Sequence, residues 1–245
     1  MDPLTSMAAS GLRSNLESLD LIANNLANVQ TTGFKNDSEF YSLYAASEAE
    51  GPGGSDPAQM PVIETNWTDY SQGDLHQTGI PTDLAISGAG FFTVAGPSGR
   101  LYTRNGTFQF TPAGRLVTSD GYPLQGSDGK PIQLDPARAL TVTPEGELLQ
   151  DGAVVGKLQT VTFKKMSDLS KQGTSLLRFN GPDDAVGPAA GLVLQGRLES
   201  SNVDVAGSSV RMINVLRQFE MLQKSILIGV DMNTAAIQQV AKSGA

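Results

Sequence analysis

One imidazole, His76, occurs in the 245-residue chain, inside Gly73-Asp74-Leu75-His76-Gln77-Thr78-Gly79, and any hydrolytic triad would have to be built on it. No Gly-x-Ser-x-Gly elbow offers a matching nucleophile. The absence of cysteine removes thiolate catalysis, cysteine metal sites and disulfides. A metal centre at His76 would need carboxylates converging from elsewhere, since neither a His-Glu-x-x-His helix nor an EF-hand loop is present. Gly88-Ala89-Gly90 begins like a dinucleotide fingerprint, but Phe91 and Phe92 follow where a third glycine and a phosphate-binding helix should come. Glu145 and Glu147 flank Gly146 with the spacing of an exposed hairpin rather than of a glycosidase dyad. No catalytic, metal-binding or cofactor-binding residue is assigned, and no cofactor is expected.

The balance of 17 basic and 25 acidic side chains gives a net charge of −8 without a basic run, so nucleic acid is not expected as a partner. The longest apolar stretches fall short of the roughly 20 residues that span a bilayer, so direct membrane insertion is not expected either. The opening Met1-Asp2-Pro3-Leu4-Thr5-Ser6 has no basic n-region leading into an apolar core, and a cleaved secretory signal is not expected.

The elements are read from periodicity. Asp2 and Pro3 suit a helix start. Ala9, Leu12, Leu16, Leu19, Ala23 and Leu26 then recur at steps of three and four until Thr31, Thr32 and Gly33 end the helix. About 28 helical residues would span roughly 42 Å. Met212, Val215, Phe219, Leu222 and Ile226 repeat the spacing in a second helix starting near Asn202 to Asp204, continued by Val230, Ile237 and Val240. Arg217 with Glu220, and Glu220 with Lys224, lie at helical pairing distance.

Between the helices, short β-branched and aromatic runs are separated by Asn105-Gly106, Asp120-Gly121, Asp128-Gly129 and Asp151-Gly152, the signature of an all-β module. Strands are expected around 84–86, 90–95, 101–104, 107–110, 115–118, 140–143, 147–149, 158–163, 176–179 and 192–198. Residues 51–58, rich in Gly and Pro, read as a mobile loop. The fold class is therefore α+β, with long terminal helices and a central all-β domain. Apolar three-four spacing fits a helix packed on its own domain as well as an intermolecular coiled coil. The first seam, with Ala9 and Ala23 among its leucines, gives a lone helix little area to bury.

Asn24-Asn25-Leu26-Ala27-Asn28-Val29-Gln30-Thr31-Thr32-Gly33-Phe34-Lys35 resembles the N-terminal signature of the flagellar rod and hook family. Gly73-Asp74-Leu75, Asp83-Leu84-Ala85-Ile86 with Gly88-Ala89-Gly90-Phe91-Phe92, and Tyr102-Thr103-Arg104-Asn105-Gly106-Thr107-Phe108 are similar to that family's β domain. Leu198-Glu199-Ser200-Ser201-Asn202-Val203 precedes the second helix as in the family. The resemblance implies a structural rod subunit of the bacterial flagellar basal body, crossing the periplasm, exported unfolded by the flagellar type III apparatus and assembling with copies of itself and other axial rod proteins. It implies no catalysis.

The divisions would be an assembly helix at 1–34, a linker with the mobile loop at 35–70, the β domain at 71–200 and a second assembly helix at 201–245. The assembly interface would comprise Leu12, Leu16, Leu19, Asn24, Asn25, Leu26, Asn28, Gly33 and Phe34, with Met212, Val215, Phe219, Leu222 and Ile226. Asn24, Asn25 and Asn28 would offer their amides to neighbouring chains. Arg217-Gln218-Phe219-Glu220-Met221 looks like the proximal rod proteins, whereas Asn28 to Phe34 is closer to the distal ones. Proximal is the expectation and distal the alternative. A soluble β-domain binding protein or hydrolase, with His76 near its site, is the competing reading from another class.

Overall fold

One helix precedes and one follows a run of antiparallel strands in the computed structural model, which describes residues 3–45 and 59–243. Pro3 opens α1 (Pro3–Ala27), where its missing amide costs no helical hydrogen bond. The expected cap Asp2 and the loop 51–58 lie outside the described residues. The helix ends short of the expected stop at Thr31 to Gly33. Asn28 turns the chain first, its carbonyl accepting from Thr31 N at 3.0 Å and its side-chain oxygen from Thr31 Oγ1 at 3.2 Å. The 25 residues of α1 span about 38 Å.

The strands are β1 (Asp37–Ala45), β2 (Gln59–Thr68), β3 (Leu75–Gln77), β4 (Leu84–Ser87), β5 (Phe91–Gly96), β6 (Gly99–Thr103), β7 (Phe108–Phe110), β8 (Leu116–Thr118) and β9 (Leu140–Val142). They continue as β10 (Glu147–Gln150), β11 (Ala153–Lys157), β12 (Thr160–Phe163), β13 (Leu169–Gln172), β14 (Leu176–Phe179), β15 (Val186–Pro188), β16 (Leu192–Gln195) and β17 (Arg197–Glu199). The second helix, α2 (Val205–Ser243), is capped by Asp204, whose Oδ1 accepts from Ala206 N at 3.1 Å. The architecture is α+β, with one terminal helix at each end of the sequence and a central β domain.

The chain forms two compact units, one of Met1–Ala27, Asp37–Thr68 and Asp204–Ala245, the other of Asn28–Asn36 and Asp69–Val203. In the first, β1 and β2 make an antiparallel hairpin with an irregularity between Phe40 and Tyr41. No strand was expected in this segment. Among the described side chains of α1, Ser14, Ser18, Ile22 and Asn25 are buried, a face one residue out of phase with the leucine seam. A methyl added at Gly11 would stand 3.2 Å from Leu222 Cδ1, so the small residue lets α2 approach closely. On α2, Val215 is buried and Met212, Phe219, Leu222 and Ile226 are half-buried, whereas Val230 is exposed. Side chains of Ile237 and Val240 lie outside the described residues. Arg217, Glu220 and Lys224 are all exposed, and among the described residues no ion pair joins them.

The second unit is organised on a six-stranded sheet in the order β13-β14-β6-β5-β12-β15. Strand alternation sends Phe92, Val94, Leu101 and Leu176 to one buried cluster and Phe91, Tyr102, Val161, Phe163 and Leu177 to another. The second cluster is aromatic, with Phe163 edge-on to Tyr102 at 4.8 Å between centroids. The expected strand at 192–198 is two strands. Gly196, at φ 70, turns the chain so that β16 pairs with β4 and β17 with β3, and its amide donates to Asp83 O at 2.8 Å. Among the described residues, no helix is long and apolar enough to cross a membrane.

Candidate functional site

The carboxylate of Glu199, on β17, is fully buried with two cations against it. Lys35 Nζ donates to Oε1 at 2.5 Å and Arg104 Nη1 to Oε2 at 3.0 Å, all three side chains being at most 4% exposed. The amide of Gly73 adds a third donor, to Oε1 at 3.1 Å. Gly33 N donates to the Glu199 carbonyl at 2.8 Å.

Each cation is held by backbone carbonyls as well. Lys35 Nζ reaches Ser71 O at 2.5 Å. Arg104 reaches Ile86 O at 3.2 Å and Gly88 O at 2.8 Å. Its guanidinium lies 5.1 Å above the Phe91 ring centre, within cation–π range. Lys171 covers the centre from β13, donating to Lys35 O at 2.6 Å and standing 4.2 Å from the Phe34 ring centre. Asn202 closes the neighbouring segment, accepting from Asn36 N at 2.8 Å and donating to Asp69 O at 2.9 Å.

Backbone shape explains the glycines. Gly33 sits at φ 69, and a Cβ there would fall 2.3 Å from Asn105 N. A Cβ on Gly73 would fall 2.1 Å from Ser200 O.

Two buried cations face one buried carboxylate, which costs solvation that the hydrogen bonds must offset. Burial pushes the Lys35 ammonium below the usual lysine range, against the opposing pull of Glu199. Burial also lowers the Arg104 guanidinium.

A second polar node lies in the helical unit. Glu39, on β1, accepts from Ser18 Oγ of α1 at 2.9 Å and pairs with Arg211 of α2. Asn25 makes a reciprocal pair with Asp37, donating to its carbonyl at 2.7 Å and accepting from its amide at 3.0 Å. The amide expected to meet a neighbouring chain is thus engaged within this one. Gly33 and Phe34 are likewise buried in their own chain. Leu12, Leu19, Leu26 and Asn28 are half-buried, Leu16 is 49% exposed, and Asn24 is exposed.

The residues weighed for catalysis do not gather. His76 is exposed on β3, opposite Leu198. Gly88 serves Arg104 rather than a phosphate, and Glu145 is exposed. Lys35, Arg104 and Glu199 each lie inside a family-like motif, but no spacing in the sequence marks them as partners. The signal is one charge inside each otherwise uncharged motif.

These side chains fasten chain segments within one folded β unit, and in the sequence one helix precedes and one follows that unit's strands. Residues 6–35 match the family described as flagella basal body rod protein, and residues 194–239 the flagellar basal body rod FlgEFG protein C-terminal family. Residues 85–155 match the flagellar hook protein FlgE/F/G D1 domain. The flagellar basal-body rod protein FlgF of Caulobacter vibrioides is 34% identical over 91% of this chain and 92% of its own. The rod protein FlgG of Buchnera aphidicola subsp. Schizaphis graminum is 33% identical over 92% and 95%, and that of Bacillus subtilis 31% identical over 89% and 91%. The chain belongs to the flagellar basal-body rod protein family.

Proposed function

We propose that the chain polymerises through its terminal helices into the axial rod of the flagellum where the rod crosses the periplasm, as a subunit of the proximal section. One observation carries the reading. Apolar side chains remain bare on both helices after the chain has folded: Leu16 on α1, and Val210, Ile213, Leu216, Met221, Leu227, Ile228 and Val230 among those of α2. A bare stripe of this kind marks an interaction surface. The buried face of α1 is Ser14, Ser18, Ile22 and Asn25, while Leu16 is exposed and Leu12, Leu19 and Leu26 are half-buried, so the leucine seam has area left to bury in a coiled coil with neighbouring copies and other axial proteins.

Arg217 to Met221 and the Caulobacter relative named FlgF support the proximal section. Asn28 to Phe34 and the relatives named FlgG favour the distal section as the second reading. Export in an unfolded state through the type III apparatus fits helices that gain burial only on assembly.

Leu16→Asp tests the polymerising face. It should exclude the chain from rods while leaving the β unit folded, and normal rods would refute it. Antibody labelling of partial basal bodies tests the section: label below the distal segment supports proximal, and label on it supports distal.

A further inference from the structure

We infer that a cleft on the β unit receives a carboxylate side chain from a second copy of this chain. The inference rests on the polymerising reading and adds a contact outside the helices.

The cleft has a volume of about 450 Å³ and is lined by Ser98, Arg100, Tyr102, Arg178, Asn180 and Asp183, among others. Arg100 and Tyr102 stand two residues apart on β6 and so share a face. Arg178 comes from β14, and Asn180 and Asp183 follow that strand. Among the described residues neither arginine forms an ion pair, in contrast to Arg104, Arg138 and Arg211. Among the described residues the Arg178 guanidinium makes a single hydrogen bond, a 3.5 Å reach to Ser98 O. Tyr102 is only 5% exposed, yet its hydroxyl makes no hydrogen bond among the described residues. Burial raises the Tyr102 phenol above its usual value, with the Arg100 charge opposing the rise and the Asp183 charge adding to it.

Guanidinium forks match a carboxylate by paired N–H donors, and the Tyr102 hydroxyl can add a third. Asp183 opposes a multiply charged anion, so one carboxylate suits the site. The chain supplies that ligand in excess, with 25 acidic against 17 basic side chains. Copies of net charge −8 repel side by side, and a cationic cleft that takes up an acidic group lowers that repulsion.

The test is photocrosslinking in flagellated cells that carry the full chain with p-benzoylphenylalanine at Ser98, followed by isolation of basal bodies. The expected product is an adduct of two copies, lost when Arg100→Glu and Arg178→Glu are combined, with the purified double variant unfolding at the parent's denaturant midpoint. Assembled rods with no adduct, an adduct undiminished by charge reversal, or an adduct with a different protein would each overturn the inference. Leu16→Asp separates the two claims. If that variant still assembles, the helical reading falls; if it fails to assemble while the charge-reversed chain keeps its adduct, only the cleft inference falls.

Discussion

Glu199 accepts a hydrogen bond from Lys35 Nζ at 2.5 Å across a sequence separation of 164 residues. The segment that leaves α1 and the strand that leads toward α2 are thereby fastened in one β unit, and Gly33 N on the Glu199 carbonyl repeats the link through backbone. Four motifs that lie far apart in sequence contribute to this centre: Lys35 with Gly33, Gly73, Arg104, and Glu199.

Removing the shared acceptor strands two buried cations. Glu199→Ala should destabilise the β unit by about 3–5 kcal/mol, the range for breaking a buried ion pair from one side. Urea unfolding followed by far-UV circular dichroism measures it, and a loss under about 1 kcal/mol would contradict the described geometry.

Alkaline pH should act on Lys35 with a defined sign. Its folded value lies below the ordinary 10.5 because burial disfavours the ammonium, with Arg104 pushing further down and Glu199 and Asp69 pulling up. Between the lowered value and 10.5 the unfolded chain keeps a proton that the folded chain has released, so the Lys35 contribution to stability rises with pH. Below that window both states are protonated and the contribution is flat. The unfolding free energy of the parent minus that of Lys35→Met should therefore climb as pH approaches 10.5, and a falling difference would reverse the assignment.

Two glycines at nearly the same dihedral separate strain from space. Gly79, at φ 71, has nothing within 4 Å of an added Cβ, so Gly79→Ala should cost roughly 1–2 kcal/mol from its left-handed backbone alone. Gly33→Ala adds a collision 2.3 Å from Asn105 N and should cost clearly more. Equal midpoints for the two variants in chemical denaturation would show that the 33–36 segment is not docked as described.

The polar node at Glu39 should matter more than its small size suggests. Ser18→Ala removes a donor from a buried carboxylate and should cost about 1–3 kcal/mol. Leu16→Asp, half exposed on the same helix, should change monomer stability by no more than about 0.5 kcal/mol. Thermal unfolding of the two purified variants compares them directly, and a larger loss from Leu16→Asp would place the leucine seam inside the fold.

Much of this fold can be read from local chemistry. Asp151 at φ 52 and Gly152 at φ 81 make the tight turn that the Asp-Gly pair announces between β10 and β11. The short run Phe91-Phe92-Thr93-Val94 likewise announces a strand buried on both faces. Other features escaped for physical reasons. The period of α1 is plain, but the phase of its intrachain face is not, because Ser14, Ser18 and Asn25 are polar and are buried for their fit against a hairpin and a second helix. Strands β3 and β15 are short and exist through pairing with β17 and β12, which are not their neighbours in sequence, and β13 is polar and pairs with the adjacent β14. The ion centre is the least legible, since no periodicity links Lys35 to Glu199 and their meeting depends on the whole β unit.

The central claim is that a face left bare by folding is covered in the rod, and solvent accessibility at Leu16 tests it most directly. The chain has no cysteine, so Leu16→Cys introduces a unique thiol. Rapid maleimide labelling of the purified monomer together with protection in isolated basal bodies is the predicted result. Equally rapid labelling in both states would contradict assembly through this face of α1.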